Sequence, residues 1–149
     1  MDQITKKQIE IENKKTEILN TYPMLWDRML LEWSTPDVID RGWMLYSANY
    51  LFHTAGVRWA IDPLRLHRRI LSAPEVDVSV LANLDFILLT HRHGDHLDLE
   101  LLHLLQNDPA VWIVPEYLLD TLQKAGLQHE KLMIPRPLEP IRLNNLKIT

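Results

Sequence analysis

The sequence His91-Arg92-His93-Gly94-Asp95-His96 gathers three of the chain's seven histidines and one carboxylate into a single short loop. On extended backbone, residues two apart point to the same side, so His91 and His93 can offer two imidazoles to one metal ion. Gly94 is expected to let the chain turn tightly, after which Asp95 and His96 project from the bend and can serve a second ion beside the first. Two ions so placed can share a hydroxide and clamp a reacting oxygen, which is hydrolytic chemistry. From the chain's own histidine and aspartate frequencies, this spacing arises by chance with odds of about one in a thousand. The chain has no cysteine, so disulfides and thiolate ligands are excluded and any metal must be held by histidine and carboxylate.

Other titratable residues carry weaker signals. Arg65, His67, Arg68 and Arg69 form a basic cluster; it reads either as a solvated surface or, with Arg65, Arg68 and Arg69 as the donors, as an anchor for a phosphate or carboxylate of a substrate. His53, His103 and His129 stand alone, and packing or exposure accounts for them. The five tryptophans are scattered and read as core residues. With 149 residues, 46% hydrophobic and 24% charged, the chain is one domain's worth of an ordinary globular protein. A net charge of −4 gives no general attraction to nucleic acid. No apolar run approaches the roughly 18 residues of a membrane span, and the amino terminus is polar, so a cytoplasmic location is expected.

The elements that must position the loop follow from periodicity. Ile4, Ile11 and Ile18, seven apart in a polar stretch, predict a helix with one thin apolar stripe, solvated but packed on its own domain. Pro23 interrupts that pattern, and Leu25, Trp26, Met29, Leu30 and Trp33 predict a second, buried helix ending before Ser34-Thr35-Pro36. Strand signals begin near Trp43. Leu45 to His53 and Val57 to Asp62, joined by Thr54-Ala55-Gly56, predict a β-hairpin. Phe86 to Leu89 reads as a strand buried on both faces, leading through Thr90 into the histidine loop. Asp98 caps a helix to about Gln106; a strand follows at Val111 to Val114, then a helix from Glu116 to Lys124 closed by Gly126, and a strand near Leu132 to Ile134. A last strand is possible at Leu146 to Thr149. The order β-β-β-α-β-α-β describes an α/β layered protein with the loop at a strand's carboxyl end, where open α/β sheets place their sites.

Thr90-His91-Arg92-His93-Gly94-Asp95-His96-Leu97-Asp98 resembles the H-x-H-x-D-H signature and flanks of the metallo-β-lactamase superfamily. The Leu-Asp after the last histidine is similar to the branch of sugar-acid-phosphate lactonases and phospholipase-D-like enzymes. Ala60-Ile61-Asp62-Pro63 resembles the superfamily's early strand ending in Asp. The resemblance implies that His91 and His93 ligate one ion and that Asp95 and His96 ligate another, with Asp95 the candidate catalytic carboxylate. It implies that Asp62 supports the loop from behind by orienting a ligand. It further implies two divalent ions, zinc first, with manganese or iron as alternatives, and a four-layer αββα fold of which this chain is the amino-terminal half. A helical lead-in at 1–42 and a partial domain at 43–149 are then expected. The expected function is hydrolysis of a small ester, lactone or phosphoester, the substrate a small molecule and in the sharper reading an anion. The complete site would need further ligands, so a missing carboxy-terminal half or a homo-oligomer is expected. A module mediating assembly, with the loop a remnant, is the alternative of a different class; a nucleic-acid hydrolase is disfavoured by the acidic charge.

Overall fold

In the computed structural model, which describes residues 2–35, 39–70 and 72–149, the chain opens with one helix, α1 (Gln3–Ser34), where two were expected. Asp2 caps it by accepting from the Thr5 N–H at 2.7 Å. Pro23 lies inside α1, which forfeits one backbone hydrogen bond at a cost of about 3 kcal/mol. Tyr22, Trp26, Met29 and Trp33, at i, i+4, i+7 and i+11, form a buried stripe across it. Two buried indoles, at roughly 150–250 Å² each and about 25 cal/mol per Å², outweigh that loss. Leu25, expected on the buried face, is exposed, and so are Ile4 and Ile11, so α1 packs on its own domain only from about Ile18 onward. Pro36, expected as the stop, lies outside the described residues.

Six strands follow in one sheet, in spatial order β1 (Arg41–Met44), β2 (Tyr50–Thr54), β3 (Val57–Ile61), β4 (Phe86–Leu88), β5 (Val111–Ile113) and β6 (Leu132–Met133). The single strand expected from Leu45 to His53 is replaced by β1 and β2, with Leu45 to Asn49 as their connection. Strands β1 to β3 are antiparallel, whereas β3 to β6 are parallel. The β2–β3 turn has both Ala55 (φ 51°) and Gly56 (φ 77°) in the left-handed region, the conformation a two-residue hairpin requires. Strands β4 and β5 are joined through α2 (Leu99–Leu105), capped by Asp98 as expected, and β5 and β6 through α3 (Leu119–Lys124), with Gly126 at φ 99° closing the latter.

Alternation sends Leu51, Ala60, Ile87 and Trp112 to one face of the sheet, where they share a continuous core with Trp26, Met29 and Trp33 of α1 and with Leu101, Leu105 and Leu122 of α2 and α3. The half of α1 that follows Tyr22 therefore belongs to the same core as the sheet. Polar contacts lock it there: the Trp43 indole N–H donates to Glu32 and the Arg58 guanidinium donates to the Trp33 carbonyl, both at 2.9 Å. On the opposite face Phe52, Trp59 and Phe86 stack in a ladder with centroids 4.1 and 5.3 Å apart. A separate hairpin, β7 (Ile141–Leu143) and β8 (Leu146–Ile148), packs over part of that face. Its first strand was not foreseen, and β8 is the possible last strand. The architecture is a mixed parallel and antiparallel sheet with a helical amino terminus, helices on one face and a small β layer on the other.

Candidate metal centre

Adjacent parallel strands β3 and β4 end side by side, and their carboxyl ends deliver Asp62 and the Thr90–His96 loop to one place. The Asp62 N–H donates to the Leu88 carbonyl at 2.9 Å, fixing the register at which the two segments leave the sheet. Asp62 is fully buried and adopts a left-handed backbone, φ 44°. Its carboxylate accepts from the Thr90 N–H at 2.7 Å, from the Thr90 hydroxyl, and from His96 Nδ1 at 2.7 Å.

These bonds dictate proton positions. Because the Thr90 hydroxyl proton goes to Asp62, its oxygen can only accept from His91 Nδ1, 2.9 Å away. One carboxylate thus holds the Nδ1 protons of two imidazoles, His96 directly and His91 through Thr90, and leaves Nε2 of each unprotonated. His91 Nε2 lies 3.1 Å from His93 Nδ1, and the His91 and His96 ring centroids are 3.9 Å apart. His96 Nε2 is 3.9 Å from an Asp95 carboxylate oxygen. All five expected residues are therefore gathered in one cluster, and His91 and His93 converge rather than diverge. Among the described residues, Asp62, His91 and His96 bring ligand-capable atoms within 4.8 Å of one another.

The donor set suits a metal ion. Tetrahedral zinc with bonds of about 2.0–2.1 Å separates its nitrogen ligands by about 3.3 Å, close to the 3.1 Å between His91 and His93. With His91 Nε2 unprotonated, His93 Nδ1 donates to it, and a bound cation would take the place of that proton. The Asp62 carboxylate is already bonded to Thr90 and His96. The Asp95 carboxyl is held below its ordinary range, first by its own backbone N–H, which outweighs the opposing effect of burial, and then to a lesser extent by His96, Arg69 and His93. It is ionised at neutral pH and half exposed beside the exposed His93.

Two expectations change here. Gly94 is not in the left-handed region and has open space where a side chain would be; the bend is closed by the His96 and Leu97 N–H groups donating to the His93 carbonyl, both at 2.9 Å. Arg65 is not turned to the site. Its guanidinium bonds both Asp98 oxygens at 2.8 and 2.9 Å and reaches Glu100 as well. These bonds, led by the one to Asp98, raise its already high pKa. Arg68 and Arg69 are exposed, and Arg68 lies 3.8 Å from Asp98. His103 and His129 are exposed and bond Gln106 and Gln123.

Thr90 and Asn49 were not singled out from the sequence. Asn49 is fully buried and donates to the Asp62 and Asp95 carbonyls at 2.7 and 3.0 Å. The available signal was an amide within an apolar strand region, since a buried amide must find partners.

No family model matches the chain. Half of it is 36% identical, over 84 residues, to the mitochondrial N-acyl-phosphatidylethanolamine-hydrolysing phospholipase D of Saccharomyces cerevisiae. The matched stretch is 18% of that relative, so the chain spans less than a fifth of its length. The solved structure of Igni18, a metallo hydrolase from the archaeon Ignicoccus hospitalis, superposes with a TM-score of 0.47 at 22% identity, over 64% of this chain and 39% of that one, a likeness too weak to bear on function.

Proposed function

We propose that this chain is a member of the metallo-β-lactamase superfamily and carries the amino-terminal ligand loop of a metal-dependent hydrolase acting on a small ester, lactone or phosphoester. The observation that carries the reading is the single buried carboxylate of Asp62 fixing the Nδ1 protons of His96 and, through Thr90, of His91. Such an arrangement serves to present two Nε2 lone pairs as ligands of defined direction. His91 and His93 would hold one divalent ion, and Asp95 with His96 a second; zinc suits imidazole and carboxylate best, with manganese or iron as alternatives. When bound, such ions supply Lewis acidity and a nucleophile at neutral pH. The chain's own part is positional. Asp62 and Thr90 orient the imidazoles, ionised Asp95 offers an anionic ligand, and Arg68 and Arg69 lie outside the cluster to draw in an anionic group of the substrate. Because a catalytic zinc ordinarily keeps three protein ligands, further ligands must join those of residues 91–96 to complete the site.

Zinc titration of the chain by calorimetry tests the reading. Saturable binding that is abolished in the double variant H91A/H96A, with the fold unchanged by circular dichroism, is expected. Binding that survives in the double variant, or no binding at millimolar zinc, would reject it.

A further inference from the structure

Asn49, in the connection between β1 and β2, makes bonds that no packing role requires. Its two Nδ2 protons are divided between the backbone carbonyls of Asp62, at 2.7 Å, and Asp95, at 3.0 Å. Its Oδ1 accepts from the Ser47 N–H at 3.3 Å. Both longer-range partners are carbonyls, which can only accept, so the amide's orientation is set by the network itself. One buried side chain thus ties together Asp62, whose carboxylate holds the imidazoles, and Asp95 in the bend of the histidine loop.

The Asp62 backbone gives this tie its importance. A non-glycine residue in the left-handed region persists where its surroundings over-determine it. At Asp62 they do: the N–H is held by Leu88, the carboxylate by Thr90 and His96, and the carbonyl by Asn49. Releasing the carbonyl frees the peptide unit that aims the carboxylate, and the two imidazoles anchored to that carboxylate shift with it. Releasing the Asp95 carbonyl at the same time loosens the bend that carries Asp95 and His96.

We propose that Asn49 is a positioning residue for the metal centre, setting the spacing between the Asp62 carboxylate and the histidine loop. This inference rests on the metal-site reading above. Asn49→Ala removes both donors, whereas Asn49→Ser retains one hydroxyl donor on a shorter arm. With cobalt(II) as the probe, wild-type chain is expected to show visible absorption bands from nitrogen and carboxylate ligation. In N49A, folded by far-ultraviolet circular dichroism, the cobalt affinity should fall about tenfold, the low end for residues that orient ligands, and the bands should shift. N49S should fall between the two. A folded N49A with wild-type affinity and bands would overturn the proposal while leaving the metal site standing; loss of the fold in both variants would also overturn it, by making Asn49 a structural residue only. Absence of cobalt bands in the wild type would instead reject the metal site itself, and the positioning role with it.

Discussion

Asp62 and Arg65, three residues apart, show how residue type alone leaves a role undecided. Asp62 is an acid at a strand end in a left-handed conformation, and its carboxylate is saturated by Thr90 and His96. Arg65 belongs to a basic cluster, but a buried carboxylate claims its guanidinium, and a bidentate pair of this kind fixes its geometry as well as its charge. Arg69 is the member of the cluster whose charge is felt at the site, where it helps to keep Asp95 ionised. Under the proposed hydrolase reading, Arg69→Gln in the active protein should raise KM for an anionic substrate by roughly fivefold with kcat nearly unchanged, because an exposed charge contributes to ground-state and transition-state binding alike. Steady-state kinetics on matched charged and uncharged substrates check this; an equal effect on both would remove Arg69 from substrate binding.

Helix α2 is the element that connects the metal loop to the rest of the domain, and Asp98 is where the connection is made. This buried carboxylate caps α2 through the Leu101 N–H and pairs with Arg65 on the segment that leaves Asp62. Burial by itself would push the Asp98 pKa up, but the bonds from Arg65 and the Leu101 N–H outweigh it, and the net shift is downward. A folded-state pKa below the unfolded value stabilises the protein above about pH 3.9, and this contribution is lost as pH falls through the lowered value. Asp98→Asn should therefore cost about 3 kcal/mol at neutral pH, the low end for breaking a buried pair, since the amide can still cap the helix. The gap between the variant and the wild type should close as the pH is taken below about 3.9. Urea denaturation across that range measures it, and a gap independent of pH would show that the ion pair is not its source.

For the molecule as a whole, ligand count and sheet coverage point the same way. Under the pairing proposed above, the histidine loop gives each of two ions only two protein ligands, and on the sheet face that the β7–β8 hairpin partly covers, Tyr50, Phe52 and Trp59 are only half buried. By themselves these residues should bind zinc weakly, show little hydrolytic turnover and self-associate through that apolar face. Calorimetry with sedimentation on one sample tests both parts. A monomer binding two ions tightly, with turnover, would mean that further ligands exist within the chain, and His103 and His129 would be the first to examine. No helix among the described residues is long and apolar enough to cross a membrane.

The sequence alone sufficed for features whose physics is local. The i, i+2 spacing of His91 and His93, with Asp95 and His96 beyond the bend, marked the loop as a candidate site; alternation before Asp62 and the apolar run before Thr90 placed both at strand ends, and the cap at Asp98 was legible from its position before an apolar helix. Helix α1 was misread at Pro23 because the compensating burial of Trp26 and Trp33 comes from the sheet, not from the helix. The partners that organise the site were hidden for a related reason. Thr90 finds Asp62 across 28 residues, Arg65 finds Asp98 across 33, and Asn49 finds Asp95 across 46. Periodicity and spacing report on neighbours within a few residues. Which buried polar group satisfies which other one is decided only when the strands pair and their ends come together.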